Sequence, residues 1–160
     1  MKIKVLELGT MVSDITNTNG MLTHLNIAMD ETKDYYYQPR GLNPKTGAPV
    51  ERIWLKEQRI NGGKFIEIDA PLEILGSKAE DIATGFKGKI VALIYHLDGC
   101  LHVEIKPEGV LEETGATIAT NEFDIRRVKG DKIKPFGAKK LKESIKDTPS
   151  PNHYTQPRNS

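Results

Sequence analysis

The chain has 160 residues, of which 38% are hydrophobic and 28% charged, material for one ordinary domain or two small ones. No apolar run approaches the ~20 residues of a membrane span, and the opening Met1 to Val5 alternates charge with β-branched residues, as a strand does and a signal peptide does not. One cysteine, Cys100, excludes a disulfide framework within the chain. The formal net charge of +1 hides an asymmetry, because Lys129 to Ser160 holds eight Lys/Arg against three Asp/Glu. The body is therefore mildly acidic and the tail basic, a distribution typical of an interaction tail.

In chain order, the first unit reads as β. Met21 to Met29 is a long strand, and Asp30 to Asp34 a polar hairpin tip longer than two residues. Tyr35-Tyr36-Tyr37 is the return strand, and Ile53 to Ile60 the last. Asn61-Gly62-Gly63-Lys64 is the expected linker. Phe65 to Leu75 opens a second unit, Thr84-Gly85-Phe86-Lys87-Gly88 is a turn, and Lys89 to Leu97 is a long strand. Asp98-Gly99 is a two-residue hairpin signal, Cys100 to Lys106 returns, and Asn121 to Val128 closes the unit.

The two units are copies. Leu8-Gly9 matches Leu75-Gly76, and Asp14-Ile15 matches Asp81-Ile82, 67 residues on. At an offset of 68, Gly20 matches Gly88, Asp30 matches Asp98, Pro39 and Gly41 match Pro107 and Gly109, Thr46-Gly47-Ala48 matches Thr114-Gly115-Ala116, and Arg59 matches Arg127. Turn residues dominate the register, as expected where the backbone dictates residue type. Five short strands in about 60 residues are too few for a sandwich and must curl to bury one face. The expectation is all-β: two tandem small SH3-like β-barrels at 1–60 and 65–128, a linker at 61–64, and a basic, partly helical or extended tail at 129–160. Each barrel alone would be marginal in stability, so the two should pack together.

Leu75-Gly76, Ala79, Asp81, Thr84-Gly85-Phe86-Lys87-Gly88, Tyr95-His96-Leu97-Asp98-Gly99-Cys100 and Phe123-Asp124 resemble a group of small proteins encoded in tailed-phage genomes. The resemblance covers Leu72 to Val128. The first unit departs from it, with Asn17-Thr18-Asn19-Gly20 in place of the glycine-phenylalanine turn. The resemblance implies a phage origin and a small barrel, and carries no catalytic residues.

The chemistry-bearing residues give little sign of an enzyme. With a two-residue hairpin at Asp98-Gly99, Cys100 and His102 share a face while His96 points to the other, so three metal ligands do not converge. No catalytic residue, cofactor or metal is expected. Cys100 lacks an orienting group and an oxyanion hole, the repeated aspartates read as turn caps, and Gly85-x-x-Gly88 does not open a helix as a phosphate loop would. Alternation puts Tyr36 opposite Tyr35 and Tyr37, so at least one phenol of the three should face outward and suit a protein interface. In the tail, Leu141 and Ile145 lie four apart with Lys139, Lys140 and Lys142 around them, a short helix able to contact a partner.

These features point to a non-enzymatic structural accessory protein of a phage virion. It would be a capsid decoration or collar and neck component that contacts other virion proteins in a symmetric oligomer or lattice, with no membrane. Nucleic acid is disfavoured by the acidic body. The alternative is an intracellular module in the host cytoplasm that sequesters a host protein or a small nucleotide ligand.

Overall fold

The computed structural model of the protein describes residues 1–133; the expected tail helix, with Lys139, Lys140 and Lys142, lies outside the described residues. The first half contains β1 (Lys2–Leu6), β2 (Met11–Asp14), β3 (Asn19–Ala28), β4 (Lys33–Pro39), β5 (Ile53–Lys56) and β6 (Ile60–Asn61). The second contains β7 (Phe65–Asp69), β8 (Lys78–Asp81), β9 (Lys87–His96), β10 (Leu101–Lys106), β11 (Asn121–Asp124) and β12 (Val128–Gly130). Short 3-10 turns at Glu57–Arg59 and Ile125–Arg127 precede β6 and β12, and a third, at Leu72–Ile74, has no counterpart in the first half. Each half therefore shows the same succession of strands. All the pairings are antiparallel. Among the described residues no helix is long and apolar enough to cross a membrane.

Within each half the strands form a meander whose last short strand returns beside its first. β2, β3, β4 and β5 pair in succession, with β6 on β2. β8, β9, β10 and β11 do the same, with β12 on β8. The halves are then joined by β3 and β9, which pair with each other from His24↔His96 to Ala28↔Ala92. One ten-stranded sheet results, beside a two-stranded sheet of β1 and β7, and neither closes on itself. The central register places Asn26 opposite Ile94, its own equivalent 68 residues later. The two halves thus meet across a local twofold axis, as the two chains of an isologous dimer would.

This junction explains why β3 and β9 are ten residues long. The first part of each strand pairs with its own half, at Asn19–Met21 with β2 and at Lys87–Lys89 with β8. The last part pairs with the other half. The two parts are divided by register shifts at equivalent places, between Leu22 and His24 in β3 and between Ile90 and Ala92 in β9. A bulge at these points bends the strand and raises its local twist. At the start of each strand stands a glycine. A Cβ on Gly20 would collide with the Tyr37 ring and the Gln38 carbonyl, and one on Gly88 would collide with the backbone at Lys106 and Pro107.

Alternation sorts the side chains. Leu22, Leu25, Ile27, Tyr35 and Tyr37 point inward from the first half, and Ile90, Leu93, Val103 and Ile105 from the second, all essentially inaccessible and all in one cluster. Burying each of these leucines or isoleucines is worth ~1.5–3 kcal/mol, so the shared core ties the halves together. The Tyr35 hydroxyl accepts from the Leu6 N–H at 2.8 Å and donates to Glu57 at 2.9 Å. Tyr37 donates to the Thr18 carbonyl.

Three local expectations are corrected. The segments Ile53 to Ile60 and Asn121 to Val128 are not continuous strands, because a 3-10 turn breaks each and redirects its end to a different partner strand. The Asp98-Gly99 hairpin has a three-residue loop, Leu97 to Gly99. The Gly99 N–H donates to the His96 carbonyl at 2.9 Å, and the His96 N–H donates to the Cys100 carbonyl at 2.9 Å. Gly99 takes φ 88°, the left-handed residue of a type I turn closed by a bulge. The hairpin tip of the first half has the same three-residue build, at Met29 to Glu31, in place of the expected longer tip from Asp30 to Asp34. Glu31 N–H donates to the Ala28 carbonyl at 2.9 Å, and Glu31, the equivalent of Gly99, takes φ 64°.

The repeated aspartates also find their roles. Asp81 is fully buried and receives Arg127 Nε at 2.7 Å and Nη2 at 2.8 Å, with the Thr84 N–H at 3.0 Å. Asp14 accepts from the backbone of Thr16 and Thr18 at 2.9 and 3.0 Å. The bonded Arg127 guanidinium holds the Asp81 carboxyl far below the ordinary range. Asp14 is lowered chiefly by its hydrogen bond from Thr16.

Candidate functional site

The outer face of the sheet carries a belt of aromatic and imidazole rings that crosses from one half to the other. It is built by period-two alternation: the residues flanking the buried Tyr35, Tyr37, Leu25 and Val103 point outward. From β5, Trp54 lies edge-on to Tyr36 of β4, with centroids 4.3 Å apart, and Arg52 covers the Tyr36 ring at 4.8 Å. Tyr36 meets His24 of β3 at 5.5 Å, and His24 meets His96 of β9 at 4.4 Å across the local axis. His96 in turn packs on His102 of β10 at 4.1 Å.

Glu122 of β11 ends the belt. Its Oε1 accepts from His96 Nε2 at 2.8 Å and from His102 Nδ1 at 2.7 Å. The corrected hairpin causes this convergence. A three-residue loop shifts the return strand by one position relative to a two-residue loop, and a shift of one exchanges the faces. His102 therefore lies opposite Ile94, and His96, two residues further along β9, projects from that same face. The expectation that His96 points away from His102 is overturned. His96, His102 and Glu122 each offer one ligand atom, and these atoms lie within 4.8 Å of one another.

The electrostatics of the belt differ along its length. Burial lowers the affinity of His24 for a proton, and the charges of His96 and Arg52 lower it further. Around the other end stand the carboxylates of Asp98 and Asp124. Asp98 accepts from the Cys100 N–H at 2.9 Å, which lowers it, and Asp124 forms an ion pair with Arg126. Cys100 is raised by burial and by its hydrogen bond to Asp98. That suits a protonated thiol and not a nucleophile.

The expected interaction residues separate. Tyr35 and Tyr37 are core residues with no accessible surface, whereas Tyr36 stands in the belt. Sequence reasoning missed Trp54, His24 and Glu122. Trp54 is 46% exposed and has the same alternation signal as Tyr36. A groove of about 690 Å³ lined by Lys78, Gly88, Glu108 and Ile133 lies elsewhere, where the described residues end, and shares no residue with the belt. Comparison of the chain with protein-family models, with curated proteins and with solved structures finds no match.

Proposed function

We propose that this chain is a non-enzymatic structural accessory protein of a phage virion, a capsid decoration or collar and neck component that works through protein–protein contacts. The observation that carries the reading is a set of exposed apolar residues presented twice. Ile15 and Ile82, Met29 and Leu97, and Leu42 and Val110 are repeat equivalents, and each is at least 50% exposed. Large apolar side chains repeated at matching exposed positions suit contact surfaces. Two copies related by a local twofold give one chain two like-built faces, which fits insertion between neighbours in a symmetric assembly. The resemblance of Leu72 to Val128 to small phage proteins supports the particle as the setting.

Each repeat is further read as an SH3-like unit. The support is its strand order, with the last strand beside the first after a 3-10 turn. A second reading, an intracellular module that binds a small nucleotide, draws on one observation. Trp54, Tyr36 and Arg52 form a surface on which a flat base could stack.

The test is mass spectrometry of density-purified particles of the encoding phage, calibrated against the major capsid protein. The expected result is a fixed ratio compatible with particle symmetry. Absence from particles, with abundant protein in infected cells, overturns the reading and favours the intracellular module.

A further inference from the structure

We propose that His96, His102 and Glu122 form a zinc site on the outer face of the second repeat. The three side chains come from three adjacent strands, β9, β10 and β11, so their positions are fixed by the sheet rather than by a loop. Two imidazole nitrogens approach one carboxylate oxygen at 2.8 and 2.7 Å, and all three ligand atoms lie within 4.8 Å of one another. With the carboxylate ionised, that geometry puts a proton on each of the two nitrogens. A divalent ion can occupy the same convergence point once each imidazole carries its proton on the other ring nitrogen, as a neutral histidine ligand does.

Zinc bound by nitrogen and oxygen needs ligands at ~2.0–2.2 Å around a common centre, and three protein ligands with one open position is a usual set. Two imidazoles and one carboxylate are a donor set that zinc takes, with a fourth position left open. The side chains of His96 and His102 are only 23% and 26% exposed, and Glu122 is 40% exposed, so the fourth position is reached from solvent. Asp98, coupled to both imidazoles, adds negative potential where the cation would sit, whereas Asp124 is offset by its ion pair with Arg126. The first repeat lacks the site, because the equivalent positions hold Ala28, Asp34 and Trp54. One ion per chain is therefore expected, not two.

The test is titration of the full, chelator-treated chain with zinc chloride, followed by calorimetry and by thermal unfolding. Wild type should take up one equivalent of zinc, with a Tm that rises with zinc concentration. The double variant His96→Ala/His102→Ala should lose ~100-fold or more in affinity, since altering even the partners that orient metal ligands costs up to about 100-fold, and its Tm should ignore zinc. His24 and His153 remain in both proteins, so weak binding elsewhere is subtracted. Glu122→Gln keeps the side-chain shape and the fold and should also weaken zinc. Equal zinc uptake by wild type and the double variant, or none by wild type, overturns the proposal. So does full affinity in Glu122→Gln with a wild-type circular dichroism spectrum.

Discussion

The two repeats share a framework and differ on what they display. Bulges, hairpin loops, the 3-10 turns before β6 and β12, and inward side chains recur at equivalent places in both. On the outer face the first repeat presents Arg52, Tyr36, Trp54 and His24, where the second has Thr120, Glu104, Glu122 and Ala92. The second adds His96 and His102, where the first has Ala28 and Asp34. Backbone geometry constrains the inside and the turns, whereas an outward position on a sheet needs only to tolerate solvent. Side chains there are free to diverge without disturbing the fold.

The largest expected effect lies in the shared framework. Gly88→Val should cost ~3 kcal/mol or more, because the added carbon meets the backbone at Lys106 and Pro107, which cannot give way. Gly20→Val should also destabilise, but by less, since part of what it meets is the Tyr37 side chain. Urea unfolding of the two variants side by side would rank them. Equal midpoints, or a wild-type midpoint for Gly88→Val, would show that the two strands are not packed as described.

Next comes the contrast between the aspartates. Asp81→Ala removes charged hydrogen bonds in a buried position and should cost ~2–3 kcal/mol at pH 7. Asp14→Ala, at an exposed turn, should cost clearly less. The Asp81 carboxyl is held low in the folded chain, so its stabilisation is full above the unfolded value near ~3.9. It is lost as pH falls below that value toward the folded one. The gap between wild type and Asp81→Ala should therefore narrow from pH 5 to pH 2 in denaturant titrations. A gap that stays constant over that range would separate Asp81 from the effect.

The smallest effect concerns the hairpin tips. Glu31 occupies a left-handed conformation that its equivalent Gly99 takes without penalty. Glu31→Gly should stabilise by ~0.5–1 kcal/mol and Gly99→Ala should destabilise by a similar amount. Thermal melts that move both variants in one direction would contradict the shared loop geometry.

Much of this molecule can be read from its residues. The repeat offset follows from turn residues such as Thr46-Gly47-Ala48 and Thr114-Gly115-Ala116, and the inward Tyr35 and Tyr37 follow from alternation. The histidine cluster could not be read in the same way. Asp-Gly fits a two-residue loop and a three-residue loop with a bulge alike, and the choice between them decides which face His96 takes. The pairing of β3 with β9 was hidden for another reason. It joins residues about 68 apart, and no local pattern distinguishes a strand half reserved for a distant partner. The Asp81–Arg127 pair left a trace, because Arg59 and Arg127 repeat in step with Asp14 and Asp81, but repetition alone does not reveal which copy forms the bidentate bond.

The antiparallel seam between β3 and β9 has a consequence for how such a surface can change. In a true homodimer every substitution is made twice, once on each side of the axis, so the halves cannot specialise independently. Here the halves are encoded separately, and an imidazole at 96 need not be accompanied by one at 28. The molecule keeps the packing of a symmetric pair while each half carries its own chemistry, much as paired gene copies can drift apart while both remain in use.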